Sequence, residues 1–253
     1  MKSILGVRKG IPFFYDKTTL EFQQDIYERY DEMVNRQSAL HLADSLWDGY
    51  PFQPVFDFAD KHYPSSSHLS ILEIGCGVGR WISKLAITYP QSTCWGIDYS
   101  YQMLKRAKEF WVDGKEISID LTDKGLQRQL VKGQQLDNLN FGLAKAENLP
   151  FDENSQDLVV NNFLIDRLEN PRNCLTEMYR VLKPNCKVIA LSPLNFNKAE
   201  NWNKYYPPYK LSELLKEIGF EIVEWREDIR IEEPLDFHKN TVNWKCISFV
   251  AKK

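Results

Sequence analysis

Apolar and polar positions follow two periods along this chain, and the switch between them outlines its elements. Short apolar runs at Ile71-Leu72-Glu73-Ile74, Thr93–Asp98, Leu139–Leu143, Asp157–Asn161 and Val188–Leu191 read as strands packed on both faces, as in a parallel sheet. Helical stretches separate them. Arg80–Thr88 stops at Tyr89-Pro90. Ser100 caps a helix through Met103, Leu104 and Ala107, and Asn170-Pro171 supplies N-cap and first position for one carrying Leu175, Met178, Tyr179 and Leu182. Leu211–Ile218 is a last helix with Gly219 as its C-cap, and strands at Glu221–Trp225 and Asn243–Ala251 end the chain as a hairpin. Strands alternating with helices predict an α/β fold.

Residues 1–69 precede the first of these strands and read as an N-terminal helical cap. Thr18-Thr19-Leu20-Glu21 forms a capping box, so a helix is expected near Thr19, with Phe22, Ile26, Tyr30 and Met33 on one apolar face. Tyr15, Tyr27, Tyr30, Trp47 and Tyr50 make the cap rich in aromatics, either to pack it onto the sheet or to line the mouth of a site. Residues 112–138 read as a surface insertion without a motif: Glu116–Leu121 alternates like an edge strand, and a polar, helix-like stretch runs to Gly133. Ser192–Tyr209 is a polar, aromatic loop containing Asn195, Asn197, Trp202 and Tyr205. At the carboxyl end of a central strand, such a loop either meets substrate or packs against the cap.

Composition narrows the function classes. A chain of 253 residues is one domain, or one domain with a cap, and 43% hydrophobic with 26% charged residues is ordinary for a soluble globular protein. A net charge of -3 supplies no field toward nucleic acid or anionic membrane, so neither is expected as a partner. No stretch reads as a membrane span or signal peptide. The five cysteines (76, 94, 174, 186 and 246) have no metal-ligand spacing, which points to a reduced, cytoplasmic setting without a metal.

The chemistry concentrates after the first sheet strand. Gly75, Gly77 and Gly79 leave a turn that a ligand can approach closely. A dinucleotide fingerprint would need glycine where Arg80 stands, and a Walker A loop would need Gly-Lys-Ser/Thr. Glu73, beneath the turn, would repel a phosphate and attract an ammonium group. Asp98 ends the next strand about 20 residues beyond the glycines, where a carboxylate accepts from both ribose hydroxyls. Ribose plus ammonium without phosphate describes S-adenosylmethionine.

On these residues the chain resembles the class I S-adenosylmethionine-dependent methyltransferases, whose first motif is Glu/Asp-x-Gly-x-Gly-x-Gly. Ala144-Lys145-Ala146-Glu147-Asn148-Leu149-Pro150-Phe151 resembles Gly-Asp-Ala-Glu-x-Leu-Pro-Phe of the quinone and sterol (methyltransferase type 11) group. Asn154–Pro171 and Val181-Leu182-Lys183-Pro184 match the same group, with Asn185-Cys186 in place of its Gly-Gly. The resemblance spans roughly residues 70–251 apart from the insertion. It implies a Rossmann-like fold: a seven-stranded, mostly parallel sheet with helices on both faces and the N-terminal cap. It also implies cofactor contacts at Glu73, Gly75, Cys76, Gly77, Asp98 and Tyr99, with Met103 over one face of the adenine. Ala146 and Glu147 would lie at the adenine edge and the Asn161 carbonyl against the ammonium. Tyr30-Asp31 resembles a Tyr-Asp pair that would set Tyr30 over the methionine end. The chain departs from the pattern at Lys145, which replaces an aspartate accepting from the adenine amino group; a lysine has no acceptor. Tyr206-Pro207-Pro208-Tyr209 lies too far downstream to be the Asn-Pro-Pro-Tyr box of amino-group methyltransferases.

The reaction implied is in-line displacement at the sulfonium methyl of S-adenosylmethionine. Such a reaction asks the protein chiefly for positioning and exclusion of water, with a base only where the acceptor must lose a proton. No catalytic residue is assigned for this reason. Tyr15, Tyr27, Asp166 and Asn195 are the candidate substrate contacts, with Arg167 beside Asp166. The expected acceptor is a small or medium-sized molecule, aromatic or a natural-product intermediate. The alternatives are a peptide or other macromolecular acceptor, or a non-catalytic cofactor binder.

Overall fold

A computed structural model describes all 253 residues. Its strands are β1 (Gly6–Arg8), β2 (Ile11–Phe13), β3 (Ser70–Ile74), β4 (Thr93–Asp98), β5 (Ile117–Ile119), β6 (Gln129–Val131), β7 (Leu139–Leu143), β8 (Gln156–Asn162), β9 (Leu182–Ser192), β10 (Glu221–Pro234) and β11 (Thr241–Lys252). The helices are α1 (Thr19–Gln24), α2 (Ile26–Arg29), α3 (Asp31–Leu42), α4 (Gln53–Ala59), α5 (Arg80–Thr88), α6 (Tyr101–Trp111), α7 (Pro171–Val181), α8 (Ala199–Tyr205) and α9 (Tyr209–Ile218).

Nine strands make one sheet in the order β1-β2-β7-β4-β3-β8-β9-β11-β10. From β7 to β9 the neighbours are parallel, and β11 and β10 run antiparallel. This is the expected Rossmann-like class I core, with helices on both faces. The sheet has nine strands rather than seven because residues 6–13, expected within the helical cap, form a hairpin. Lys9 and Gly10 both adopt positive φ, as a tight two-residue hairpin turn demands. Its second strand then pairs in parallel with β7, Phe13 opposite Leu143.

The cap differs from expectation in a second way. The capping box forms, with Thr18 accepting from the Glu21 amide. The helix that follows is broken, however, because Asp25 and Tyr30 are extended. The Asp25 carboxylate caps a new helix through the Tyr27 amide and pairs with Lys17, a local alternative to continuing the first helix. Phe22, Ile26 and Tyr30 consequently remain exposed rather than forming an apolar face toward the core.

Within the insertion, β5 and β6 pair only with each other. The polar, helix-like stretch is a single turn ended by left-handed Gly125, followed by β6. The inserted hairpin braces α3, since the Asn35 side chain bonds both the carbonyl and the amide of Asp120. The loop after β9 carries α8. Phe196, Trp202, Tyr205 and Tyr206 there pack on one another, and Phe196 and Tyr205 belong to the core on the α7–α9 face, not the one holding the cap. β10 and β11 run well past Trp225, and Ile229, Ile231, Trp244 and Cys246 pack into the core that holds the cap. No helix is long and apolar enough to cross a membrane.

Candidate active site

The carboxyl ends of β3, β4, β7 and β8 meet at one edge of the sheet, where an open α/β sheet holds its ligands. Gly75, Gly77 and Gly79 are all left-handed, with φ of 73°, 52° and 80°. The amides of Gly75 and Cys76 both donate to the Ile97 carbonyl, which fastens the turn to β4. Asp98 strengthens that link: one carboxylate oxygen accepts from the Gly77 amide and the other from the Ser100 amide, each at 2.8 Å. Burial pushes the Asp98 carboxyl upward against these amides. Each oxygen keeps a second lone pair, the capacity that ribose hydroxyls need.

Two predicted contacts are placed differently from expectation. Glu73 is buried and accepts from the Ile82 amide at 2.8 Å, so one carboxylate oxygen caps α5 from beneath. A helix start already holding a carboxylate is a poor seat for phosphate, so the exclusion stands on firmer ground than ligand repulsion. Cys76 packs its side chain against Gly96, where an added Cβ would lie 2.8 Å from Sγ. Only its main chain shapes the turn.

At the end of β8, the Asn161 side chain donates to the Ile74 carbonyl at 2.9 Å, and its own Oδ1 is buried without a donor. Oδ1 of Asn162 is in the same condition. Orphaned acceptors at this position suit an ammonium group. Met103 is buried, its methyl 3.2 Å from where a Cβ on Gly77 would sit, so it packs against the turn. Ala146 is buried, while half-buried Glu147 has its carboxyl raised by burial. Lys145 reaches Glu21 of α1 at 2.5 Å. The Tyr99 ring lies 4.0 Å from the Lys17 ammonium and 6.1 Å from the Tyr15 ring.

Tyr27, rather than Tyr30, turns inward from the cap. Tyr30 is 42% exposed under the Arg29 guanidinium. Tyr27 is half-buried with Asp98, Arg167 and Glu233 among its charged neighbours; burial first, then Asp98, raises its hydroxyl pKa. Asp166 is fully buried: Ser192 donates to one oxygen at 2.7 Å, and the other has no hydrogen-bond donor. Burial raises this carboxyl too. Asn195 exposes its side chain and faces Asp166 through its backbone.

Several residues near the site were not read from the sequence. Phe163, left-handed at φ 54°, sets its ring between Phe52 of the cap at 5.5 Å and Trp244 of the hairpin at 5.7 Å. His41 stacks on Phe52 and shares a 2.9 Å hydrogen bond with the Tyr50 hydroxyl. The alternation of Ile229, Ile231, Val242 and Trp244 was the available signal for the hairpin; nothing local announced Phe163. Taken together, the left-handed turn, the strapped Asp98 and the orphaned Asn161 acceptor fit S-adenosylmethionine.

Comparison with known proteins agrees. Residues 72–190 match the family described as methyltransferase domain. A demethylmenaquinone methyltransferase of Lactiplantibacillus plantarum is 31% identical over 135 residues, covering 53% of this chain and 48% of that protein. A ubiquinone/menaquinone biosynthesis C-methyltransferase of Rickettsia felis is 33% identical over 117 residues, covering 43% and 46%. The chain thus matches about half the length of these relatives. Among solved structures, the Haloferax volcanii complex between the Trm112 methyltransferase activator and a methyltransferase contains a chain with TM-score 0.59 and 16% identity, covering 90% of this chain and 98% of that one. A [4+2]-cyclase gives TM-score 0.56 at 14% identity, covering 88% and 94%, so the shared fold alone does not dictate the reaction. Over residues 72–190 the chain is thus similar to the methyltransferase-domain family, and it shares the fold of S-adenosylmethionine-dependent methyltransferases.

Proposed function

We propose that this protein transfers a methyl group from S-adenosylmethionine to a small or medium-sized aromatic acceptor of the quinol kind. The observation that carries the reading is the glycine turn clamped to Asp98 through the Gly77 amide. The acceptor class draws on the names of the relatives and on the rings of Phe52, Phe163 and Trp244 beside the loop after β8.

Bound S-adenosylmethionine would supply an activated methyl with a neutral thioether as leaving group. Asp98 would accept from the ribose, Met103 and Tyr99 would flank the base, and Asn161 would receive the ammonium. The protein's task is then alignment and dryness. Tyr27 and Phe163 would shield the reacting pair from solvent. The Asp166 oxygen that has no hydrogen-bond donor, 3.7 Å from Arg167 Nε, would take a proton from an acceptor hydroxyl, helped by a carboxyl raised by burial.

Calorimetric titration of S-adenosylmethionine and S-adenosylhomocysteine tests the cofactor reading. Wild-type protein is expected to bind both at one site, and Asp98→Asn to weaken binding by about tenfold or more, one charge-assisted hydrogen bond. Silence from folded wild-type protein would end the reading. Transfer of labelled methyl to reduced demethylquinones then tests the acceptor class. Saturable cofactor binding without transfer to any acceptor would favour a non-methylating protein of this fold, the reading that Lys145 in place of the family's aspartate keeps open.

A further inference from the structure

The hairpin that enlarges the sheet brings an unforeseen segment to the ligand edge. Because β2 runs parallel to β7, the residues after it emerge beside those after β7, and the Phe14 amide donates to the Leu143 carbonyl. Tyr15, Lys17 and Glu21 thereby arrive next to Lys145 and Tyr99. The Lys145 ammonium lies 2.5 Å from Glu21 and 4.4 Å from the centre of the Tyr15 ring, and the Tyr15 hydroxyl donates to the same Glu21 carboxylate at 2.7 Å. A second tie lies deeper. Lys17, over the Tyr99 ring, pairs with Asp25 at 2.7 Å and Glu28 at 3.2 Å, all three side chains nearly excluded from solvent. Glu28 accepts from the Tyr101 amide at the start of α6, and its other oxygen is buried without a donor.

We propose that residues 15–28 form the outer wall of the nucleoside end of the cofactor site, and that Lys145 is its positioning residue, acting through Glu21. The proposal rests on the S-adenosylmethionine reading. It gives the departure at Lys145 a physical role. The wall carries Glu21, Asp25 and Glu28; Asp25 lies within the field of Asp98, and Lys17 pairs with Asp25 and Glu28 but not with Glu21. Lys145 supplies the second cation, and a carboxylate at position 145 would add to the repulsion. The hydrogen bonds from Lys145 and Tyr15 hold the Glu21 carboxyl well below its usual range, as a persistent pair requires.

Dissociation of S-adenosylhomocysteine and of 5′-methylthioadenosine, which carries only the nucleoside end, is measured by stopped-flow chase on the full chain. Hydrogen exchange of residues 15–28 is followed in parallel. Lys145→Ala and Glu21→Gln are expected to speed the release of both ligands by about tenfold, with Lys145→Arg and the swapped pair Glu21→Lys/Lys145→Glu within about threefold of wild type. The ligands should slow exchange across residues 15–28 in the wild type, and less so in Lys145→Ala. Melting temperatures separate loss of the wall from loss of the fold, and Glu21→Gln keeps an acceptor for the Thr18 amide in the capping box. Unchanged release rates, or a Lys145→Arg variant as fast as Lys145→Ala, would overturn the proposal. A wild type that binds neither ligand would remove the cofactor reading and this proposal together, an outcome distinct from binding that ignores Lys145.

Discussion

At the scale of single residues, the three glycines of the turn are not equivalent. A Cβ at Gly79 would lie 2.8 Å from the Phe141 ring, and φ is already left-handed at 80°. Gly77 is also left-handed, but its nearest neighbour is the flexible end of Met103 at 3.2 Å. Gly79→Ala is therefore expected to cost about 3 kcal/mol, strain plus overpacking, and Gly77→Ala about 1 kcal/mol. Urea denaturation of the two variants measures the difference; equal midpoints would show that the ring yields. The turn itself was legible as spacing between glycines. That Glu73 folds under it to cap α5, and that Cys76 points into the sheet, was not, because side-chain direction after a strand depends on what lies beneath it.

At the scale of elements, the cap is held by aromatic rings more than by its helices. α1 and α2 are too short to be stable on their own. Phe52, buried before α4, touches the rings of His41, Tyr50 and Phe163 and joins the cap to the loop after β8. Phe52→Ala is expected to cost about 3 kcal/mol. It should also raise hydrogen exchange in α3 and the loop after β8 more than in α7 or α9, which pack on the opposite face. Uniform loosening would mean that the cap is not a separable unit. The core elements were readable because each carries a local signal, Ser100 before α6 and Asn170-Pro171 before α7 among them. The cap was not: Thr18 and Glu21 announced a helix start, but Asp25 found a partner in Lys17 and ended that helix early.

At the scale of the whole molecule, the buried His41 makes stability depend on pH. Burial, and then the Arg80 guanidinium, push its ring down to about 3. An unfolded histidine titrates near 6.5, so as pH falls from about 6.5 toward about 3 the unfolded chain takes up this proton first and folding is penalised. His41→Asn keeps an amide for the Tyr50 hydroxyl and cannot titrate. The wild type is expected to lose melting temperature relative to this variant between about pH 7.5 and 5. Parallel curves would show that His41 titrates alike in the folded and unfolded chain.

The chain by itself determined the parallel core, the glycine turn, Asp98 and the helix caps, since each depends on residues within a few positions of one another. It also carried the resemblance to the methyltransferase domain, through motifs at the strand ends. Only the tertiary structure decided that an N-terminal hairpin would extend the sheet, because pairing between Phe13 and Leu143 joins segments far apart in sequence. The same long-range pairing decided that Lys145 would meet Glu21. From sequence alone, Lys145 was a lost acceptor; in the fold it became half of an ion pair, because β2 brought an acid to it.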